Sequence, residues 1–272
     1  MRQVAAERLL PLFGALKSTE VYSKGSGDIV TRADIESEQA LARQLQLLLP
    51  QALIVGEELT AQAADPEPDL SSGYVWLIDP LDGTRNFAAG DERFAVMVAL
   101  LHRGEPIQGW ILNPLTDTAI VAEHGAGAYC YDSAGASRPL LLSDSDRLQR
   151  GFGGLRALPD AIQLRIREQA AELGLFFDSY RCVGLEFMDL ATSEAGFSIY
   201  GRTLPWDHAP GSLIYTEAGG VMACFDGSPY QVRWGMHGLV SAATPRLLDR
   251  VQSLVTKIDK IIRPFVRTGS QQ

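Results

Sequence analysis

An apolar run from Val75 to Ile78 stops at two carboxylates, Asp79 and Asp82, with Pro80 between them. Proline has no N–H to give a β-ladder, so a strand is expected to stop and turn at Pro80. Asp82-Gly83 is turn chemistry, and Thr84 then reads as a helix N-cap. The result is a strand end with two carboxylates beside free backbone N–H groups and a hydroxyl. Hard divalent cations take carboxylate oxygens, and phosphate takes N–H groups at a helix N-terminus. Two readings stand side by side at this point: a metal-assisted phosphate site, or an acidic hairpin loop.

The flanks set the fold class. Before the motif, apolar positions at Val4, Leu9, Leu12, Phe13 and Leu16 share one helical face, and Pro11 predicts a kinked or late-starting helix. A glycine turn follows around Gly25-Ser26-Gly27, and Ile29-Val30 is a short extended piece. Asp34 then opens a helix that carries Ile35, Leu41, Leu45 and Leu48 on one side and closes at Pro50. Leu53-Ile54-Val55 reads as a buried strand ending in Gly56-Glu57-Glu58, and Ala61 to Gly73 as a solvent loop. After Phe87 the texture becomes all-β: Phe94–His102, Pro106–Asn113, Asp117–Glu123 and Gly127–Tyr131 are short runs parted by turn residues.

The second half alternates. Pro159–Leu173, Leu185–Ala195, His208–Ala218 and Pro245–Val255 read as helices, with strands at Leu175–Cys182, Gly196–Tyr200 and Val221–Cys224 between them. Such alternation implies a sheet sandwiched by helices. Lys257 to Gln272, with Lys257, Lys260, Arg263 and Arg267, reads as a solvated tail. The expected organisation is one domain over 1–272, an N-terminal α+β half of about 1–140, a C-terminal α/β half of about 150–257, and a tail over 258–272.

Composition narrows the function. With 272 residues, 46% of them hydrophobic, there is enough apolar material for a large core. A net charge of −9 argues against a nucleic-acid polymer as partner, for which a basic face is expected. Cys130, Cys182 and Cys224 are odd in number and form no C-x-x-C, which argues against zinc and against a disulfide framework. That usage fits a reducing, cytoplasmic setting. No signal peptide is expected, and the longest apolar run, Phe94 to Leu101, is too short to span a bilayer.

A third acidic boundary lies at Trp206-Asp207-His208-Ala209-Pro210-Gly211, before a helix that stops at Gly219-Gly220. Asp207 there, like Asp34, could be no more than a helix cap. Counting shifts the balance. Asp34, Glu57, Asp79, Asp82 and Asp207 all sit at element boundaries, and gathered together they would repel unless cations neutralised them. Four or five acids without Cys or His partners favour Mg2+ over zinc. His208 is expected to pack or cap rather than ligate. Bound Mg2+ would polarise a phosphate and acidify a bridging water for in-line attack.

The stretch Asp79-Pro80-Leu81-Asp82-Gly83-Thr84 with Asn86-Phe87 resembles the D-P-[ILV]-D-G-T-x-x-F signature of the inositol monophosphatase family. Trp206 to Gly211 with Glu217-Ala218-Gly219-Gly220 is similar to that family's second signature. Gly56-Glu57-Glu58 and Asp28-Ile29-Val30-Thr31 with Asp34 match two further motifs in the right order, so the resemblance runs from about Lys24 to Val255. It implies an α+β fold layered as an α/β/α/β/α sandwich of the sugar phosphatase type, Mg2+ dependence with two to three ions, lithium sensitivity and a homodimer. It further implies that Glu57, Asp79 and the Leu81 carbonyl hold a first metal, that Asp79, Asp82 and Asp207 hold a second, and that Glu57 reaches a third through waters. Thr84 paired with Asp34 would help deprotonate the attacking water, and the N–H groups of Gly83 and Thr84 would cradle phosphate. Substrate contacts would come from Asp82, Gly83, Thr84, Gly184, Tyr200 and Asp207.

Two departures bear on substrate. The family's sugar-contacting Glu, seven residues before the W-D aspartate, is Tyr200 here, and the small residues after Gly184 are replaced by Leu185-Glu186-Phe187. Arg202 and Glu186 are candidates for recognising substrate groups. The expected activity is hydrolysis of inositol 1-phosphate or a similar polyol or sugar phosphate. Alternatives are a 3'(2'),5'-bisphosphate nucleotidase, a histidinol-phosphatase, or a non-catalytic regulator that binds polyol phosphate or metal.

Overall fold

The computed structural model describes residues 1–25, 28–63, 67–142, 149–235 and 238–266, with backbone only for 257–266. The turn expected at Ser26-Gly27, the middle of the 61–73 loop and residues 267–272 of the expected tail lie outside the described residues. The first half begins with α1 (Arg2–Val4), which widens into one π-helical turn over Ala5–Leu9. A hairpin of β1 (Val21–Gly25) and β2 (Asp28–Thr31) leads into α2 (Arg32–Leu48), β3 (Leu53–Gly56) and α3 (Glu57–Ala61). Then come β4 (Tyr74–Asp82), α4 (Thr84–Ala88), β5 (Ala95–His102), β6 (Glu105–Asn113), β7 (Thr118–Glu123), β8 (Gly127–Tyr131) and β9 (Ser137–Leu140). The second half comprises β10 (Arg150–Gly154), α5 (Asp160–Glu172), β11 (Phe176–Asp178), α6 (Val183–Ala191), β12 (Phe197–Tyr200), α7 (Pro205–Glu217), β13 (Val221–Cys224), β14 (Leu239–Ala242) and α8 (Pro245–Val266).

Strands β3 to β9 form one seven-stranded sheet in sequence order, in which only the β3–β4 pair is parallel. The second sheet runs β11-β10-β12-β14-β13, with the first three strands parallel. Side-chain alternation along the strands creates the layers. On β4, Ile78 packs with Val4, Leu9, Ala33 and Leu41 of the N-terminal helices. Its neighbours Val75 and Leu77 face the other way, onto Trp206 and Ala209 of α7. On β12, Ile199 packs with Ile166 of α5 and Val251 of α8, whereas Tyr200 joins Phe187 of α6 and Ile214 of α7. The order is helix, sheet, helix, sheet, helix, the expected α/β/α/β/α sandwich, with α6 and α7 as the filling between the sheets.

Several boundaries differ from the sequence reading. The strand does not stop at Pro80: β4 runs to Asp82, because a register shift between Asp79 and Asp82 opposite β5 takes the proline out of regular pairing. Thr84 is not the N-cap; Gly83, at φ 89°, holds that position and Thr84 is the first helical residue. The N-terminal helix does not start late: it begins at Arg2, and its regular part gives way to the π-helical turn over Ala5–Leu9 ahead of Pro11. The strand expected over 175–182 is only Phe176–Asp178, because Asp178 Oδ1 and Glu186 Oε1 take the N–H groups of Ser179 and Tyr180 that a ladder would need. The expected tail is helical as far as Val266, where Val255, Ile258, Ile262 and Phe265 prolong the apolar spacing of α8.

Candidate active site

The acids converge because of register. Gly56 of β3 pairs with Ile78 of β4 in parallel, so Glu57 and Asp79 leave adjacent strands at the same level. Asp79 shares the parity of Val75 and Leu77 and therefore faces α7, whose first turn carries Asp207. Asp79 and Asp82 are buried, at 2% and 8% exposure. Glu57, Asp79, Leu81, Asp82, Gly83, Thr84, Tyr200 and Asp207 line a single cleft of about 700 Å³. Asp34 and Gly184 support that lining from behind.

Asp34 does not open α2: the helix starts at Arg32 with Thr31 as its N-cap, and Asp34 is the third helical residue, placed to meet both Thr31 and Thr84. Its Oδ2 accepts from the Thr31 N–H at 2.8 Å, completing a capping box at the start of α2. Its Oδ1 accepts from Thr84 Oγ1 at 2.9 Å. The Thr84 hydroxyl also lies 3.0 Å from the Leu81 carbonyl, so its one proton serves either acceptor. Gly184 donates its N–H to Asp82 Oδ2 at 2.5 Å, which joins α6 to the floor of the cleft.

The electrostatics are those of a crowded anionic site. Burial, and then the charges of Glu57, Asp82 and Asp207, hold the Asp79 carboxyl well above its ordinary range. Burial lifts Asp82 to about 6 against the opposing hydrogen bond from Gly184. The Asp207 carboxyl is likewise raised, by desolvation and by Asp82 and Glu57. Burial also brings Asp34 to about 6. Lys24 Nζ answers part of this charge, lying 2.8 Å from Glu57 Oε1 and 2.6 Å from Glu58 Oε1. Among the described residues no three His, Cys, Asp or Glu side chains already converge as a ready metal cage. The donor set nonetheless fits a hard divalent cation: it is all carboxylate and carbonyl oxygen, Asp79, Leu81 and Asp82 are buried with Glu57 and Asp207 half-buried at the rim, and burial with neighbouring negative charge raises the carboxyls of Asp79, Asp82 and Asp207.

Neighbouring groups hold the arrangement. Glu38, one helical turn beyond Asp34, accepts the N–H groups of Glu58 at 2.9 Å and Leu59 at 2.7 Å, and so fixes α3 and Glu57. Asn86 donates to the carbonyls of Arg93 at 2.7 Å and Tyr180 at 2.8 Å, which ties the two halves together. Glu217 accepts from Gly125 N at 2.8 Å and Gly127 N at 2.9 Å and so holds the β7–β8 turn, far from the cleft. Sequence reasoning missed the role of Glu38, although the Asp34–Glu38 spacing, i and i+4 on one helix face, was a signal for it. His208 packs, as expected: its ring stands edge-on to Tyr200 at 4.9 Å, its Nδ1 lies 3.2 Å from the Leu204 carbonyl, and burial lowers its pKa to about 4.

The two departures around residues 186 and 200 turn out to be one feature. Tyr200 donates its hydroxyl to Glu186 Oε2 at 2.9 Å, while Glu186 Oε1 accepts from Tyr180 N at 2.8 Å and Ser179 Oγ at 3.1 Å. Burial pushes the Glu186 carboxyl up to about 7. The adjacent Phe187 lies where a Cβ on Gly211 would stand, so only glycine lets α6 and α7 approach this closely.

A layered sandwich with acids gathered at strand and helix ends around a cleft defines a phosphatase architecture of the type the motifs imply. The family model for the inositol monophosphatase family matches residues 2–260. The inositol-1-monophosphatase of Caulobacter vibrioides is 30% identical over 257 residues, 92% of this chain and 97% of its own length. The fructose-1,6-bisphosphatase/inositol-1-monophosphatase of Aquifex aeolicus is 31% identical over 229 residues, 81% of each chain. The fold matches that of the Thermotoga maritima IMPase with a TM-score of 0.76 at 23% identity, covering 95% of this chain and 96% of that one. The chain belongs to the inositol monophosphatase family and is a phosphatase acting on phosphate monoesters.

Proposed function

We propose that this phosphatase is Mg2+-dependent and releases phosphate from small polyol or sugar phosphates, inositol 1-phosphate among them. The observation that carries the reading is the convergence of Glu57, Asp79, Asp82 and Asp207 on one cleft beside the Thr84–Asp34 pair. Glu57, Asp79, the Leu81 carbonyl, Asp82 and Asp207 would hold two to three ions, which when bound supply charge to the phosphate and acidify water. Thr84 would accept a proton from the attacking water as its own passes to Asp34 Oδ1, 2.9 Å away. With its carboxyl at about 6, Asp34 is ionised near neutral pH and able to receive that proton. The free N–H at the start of α4 would orient the phosphate. Both curated relatives named above carry inositol-1-monophosphatase in their names, which supports a polyol phosphate as substrate.

The test is phosphate release over a panel of inositol, sugar, nucleoside and histidinol phosphates with and without Mg2+. Turnover that needs Mg2+ and is abolished in Asp82→Asn is the expected result. Metal-independent turnover, or a fully active Asp82→Asn protein, would overturn the assignment. Tight binding of polyol phosphate without turnover at saturating Mg2+ would restore the regulator reading. We further read the enzyme as lithium-sensitive, homodimeric and cytoplasmic, to be checked by inhibition with LiCl, light scattering and fractionation. The three free, buried cysteines are consistent with a reducing compartment. Among the described residues no helix is long and apolar enough to cross a membrane.

A further inference from the structure

The cleft has two unlike walls. One is the carboxylate floor; the other is built where three neighbouring parallel strands, in the order β11-β10-β12, end side by side. Each strand is followed within two or three residues by an arginine that lines the cleft: Arg181 after β11, Arg156 after β10 and Arg202 after β12. Strands spaced by about 4.8 Å set these three anchor points in a row roughly 10 Å long. The crevice outside the carboxyl ends of parallel strands is where open α/β sheets take ligands.

All three arginines are exposed. Among the described residues, no hydrogen bond or ion pair engages the guanidinium of Arg156 or Arg181, and Arg202 acts on Asp207 only through space. Elsewhere in this acidic chain Arg2, Arg32, Arg93 and Arg150 reach carboxylates, and the exposed Arg43, Arg103, Arg138 and Arg165, which are unengaged as well among the described residues, stand away from the cleft. The row is therefore positive charge that the protein does not spend on itself.

Arg181 is also held in a costly conformation. Its φ is 54°, left-handed for a residue with a side chain. The turn is fixed on every side: Arg181 N donates to Ser179 Oγ at 3.1 Å, Tyr180 N to Glu186 Oε1 at 2.8 Å, and Asn86 holds the Tyr180 carbonyl at 2.8 Å. Arg103, Asp117 and Ser193 share this conformation in turns outside the cleft, but at Arg181 the contacts fix where the side chain leaves the cleft wall.

The same contacts remove the wall's acceptors. Glu186 has Tyr200, Tyr180 and Ser179 as donors, and Ser179 Oγ already accepts from Arg181 N. The charged groups that this wall leaves unengaged at the cleft are guanidiniums, which only donate, beside the backbone of Gly154 and Ala157. A neutral polyol asks for acceptors as well as donors; an anion asks for donors alone. We infer that Arg156, Arg181 and Arg202 form a second anion subsite, and that the preferred substrates are phosphate esters whose alcohol carries a further phosphate or carboxylate. This rests on the phosphatase reading above for the ester that is cleaved, and Glu186 and Asn86 serve it as positioning residues.

The experiment measures kcat/KM with Mg2+ on glycerol 1-phosphate, fructose 1,6-bisphosphate and 3-phosphoglycerate, for wild type and for Arg156→Ala, Arg181→Ala, Arg202→Ala and the triple variant. At least one doubly anionic ester is expected to exceed glycerol 1-phosphate tenfold or more, and to lose at least tenfold of that preference in the triple variant, through KM. The arm that responds identifies phosphate or carboxylate as the second anion. A preference that is absent in wild type, or unchanged in every variant, would overturn the subsite. A direct readout separates this from failure of the phosphatase reading. Calorimetric titration of EDTA-treated protein with fructose 1,6-bisphosphate should give a Kd at least tenfold weaker in the triple variant, and equal affinities would overturn the subsite whether or not the enzyme turns over.

Discussion

The carboxylate floor and the carboxylate in the opposite wall are buried alike but satisfied differently. Glu186 is 1% exposed and receives three hydrogen bonds from its own protein, from Tyr200, Tyr180 and Ser179. Asp79 is 2% exposed and is shown one donor, the Leu81 N–H at 3.0 Å, while three other carboxylates bear on it. Burial costs a charge dearly in both places, but only the wall repays that cost internally. At this pair of positions, the acid with its own donors is held by the fold, while the acid facing other acids lacks a compensating positive charge.

Substitutions test that contrast most sharply at Asp79. Asp79→Asn should lower kcat/KM about a thousandfold or more, since it removes charge meant for the transition state. In EDTA, however, its Tm should equal or exceed that of wild type, because one of several repelling charges has gone. A steep loss of Tm would place Asp79 with the structural acids.

Glu186→Ala should do the reverse of this and unfold the protein more easily, by about 3 kcal/mol in a denaturant titration, by stranding three donors. Glu186→Gln, which keeps an acceptor for Tyr180 N–H, should lose less.

pH separates the two regions next. Burial raises Asp34 and Asp82 to about 6, Glu38 and Glu186 to about 7 and Glu58 to about 8, against ordinary values of 3.8 for Asp and 4.5 for Glu. Each carboxyl therefore binds its proton more tightly folded than unfolded. Its stabilising contribution is complete below about pH 4 and is lost as pH rises through 6 to 8. Metal-free protein should lose about 2 kcal/mol or more across that window in thermal melts, and Mg2+ should cancel the share that comes from the floor. A flat profile in EDTA would contradict the crowding.

The smallest effect is expected at Glu217, which lies in the second motif yet serves the β7–β8 turn. Glu217→Ala should cost about 1 kcal/mol and leave kcat/KM within about twofold. A large loss of activity would make it part of the site.

The floor was legible in the residues because strand ends and helix starts are local events. Val75 to Ile78 followed by Asp79, and Pro205-Trp206 followed by Asp207, announce themselves by hydrophobic pattern and turn chemistry. The wall was less legible. β10 reads Arg150-Gly151-Phe152-Gly153-Gly154, a poor strand by propensity, and was not anticipated. Its glycines are there because Phe197, Phe177 and Tyr200 occupy the space their side chains would fill. β14 was missed as well, and α8 was cut short where its apolar spacing continues. Glu38 was signalled only by its i, i+4 spacing from Asp34, and Asn86 and Lys24 by nothing that separated them from surface residues.

By itself, then, the sequence determined which residues stand at element boundaries, that their chemistry suits a hard cation and phosphate, and that the chain is layered from helices and two sheets. These follow from periodicity, capping and turn preferences, all of which act over a few residues. Only the tertiary structure decided that Glu57 and Asp79 leave neighbouring strands at one level, that Thr84 meets Asp34, and that Glu186 and Tyr200 answer each other. It alone set Arg181, Arg156 and Arg202 in a row. The reason is physical: strand order and register bring together groups tens of residues apart, and no local preference encodes which strand lies beside which.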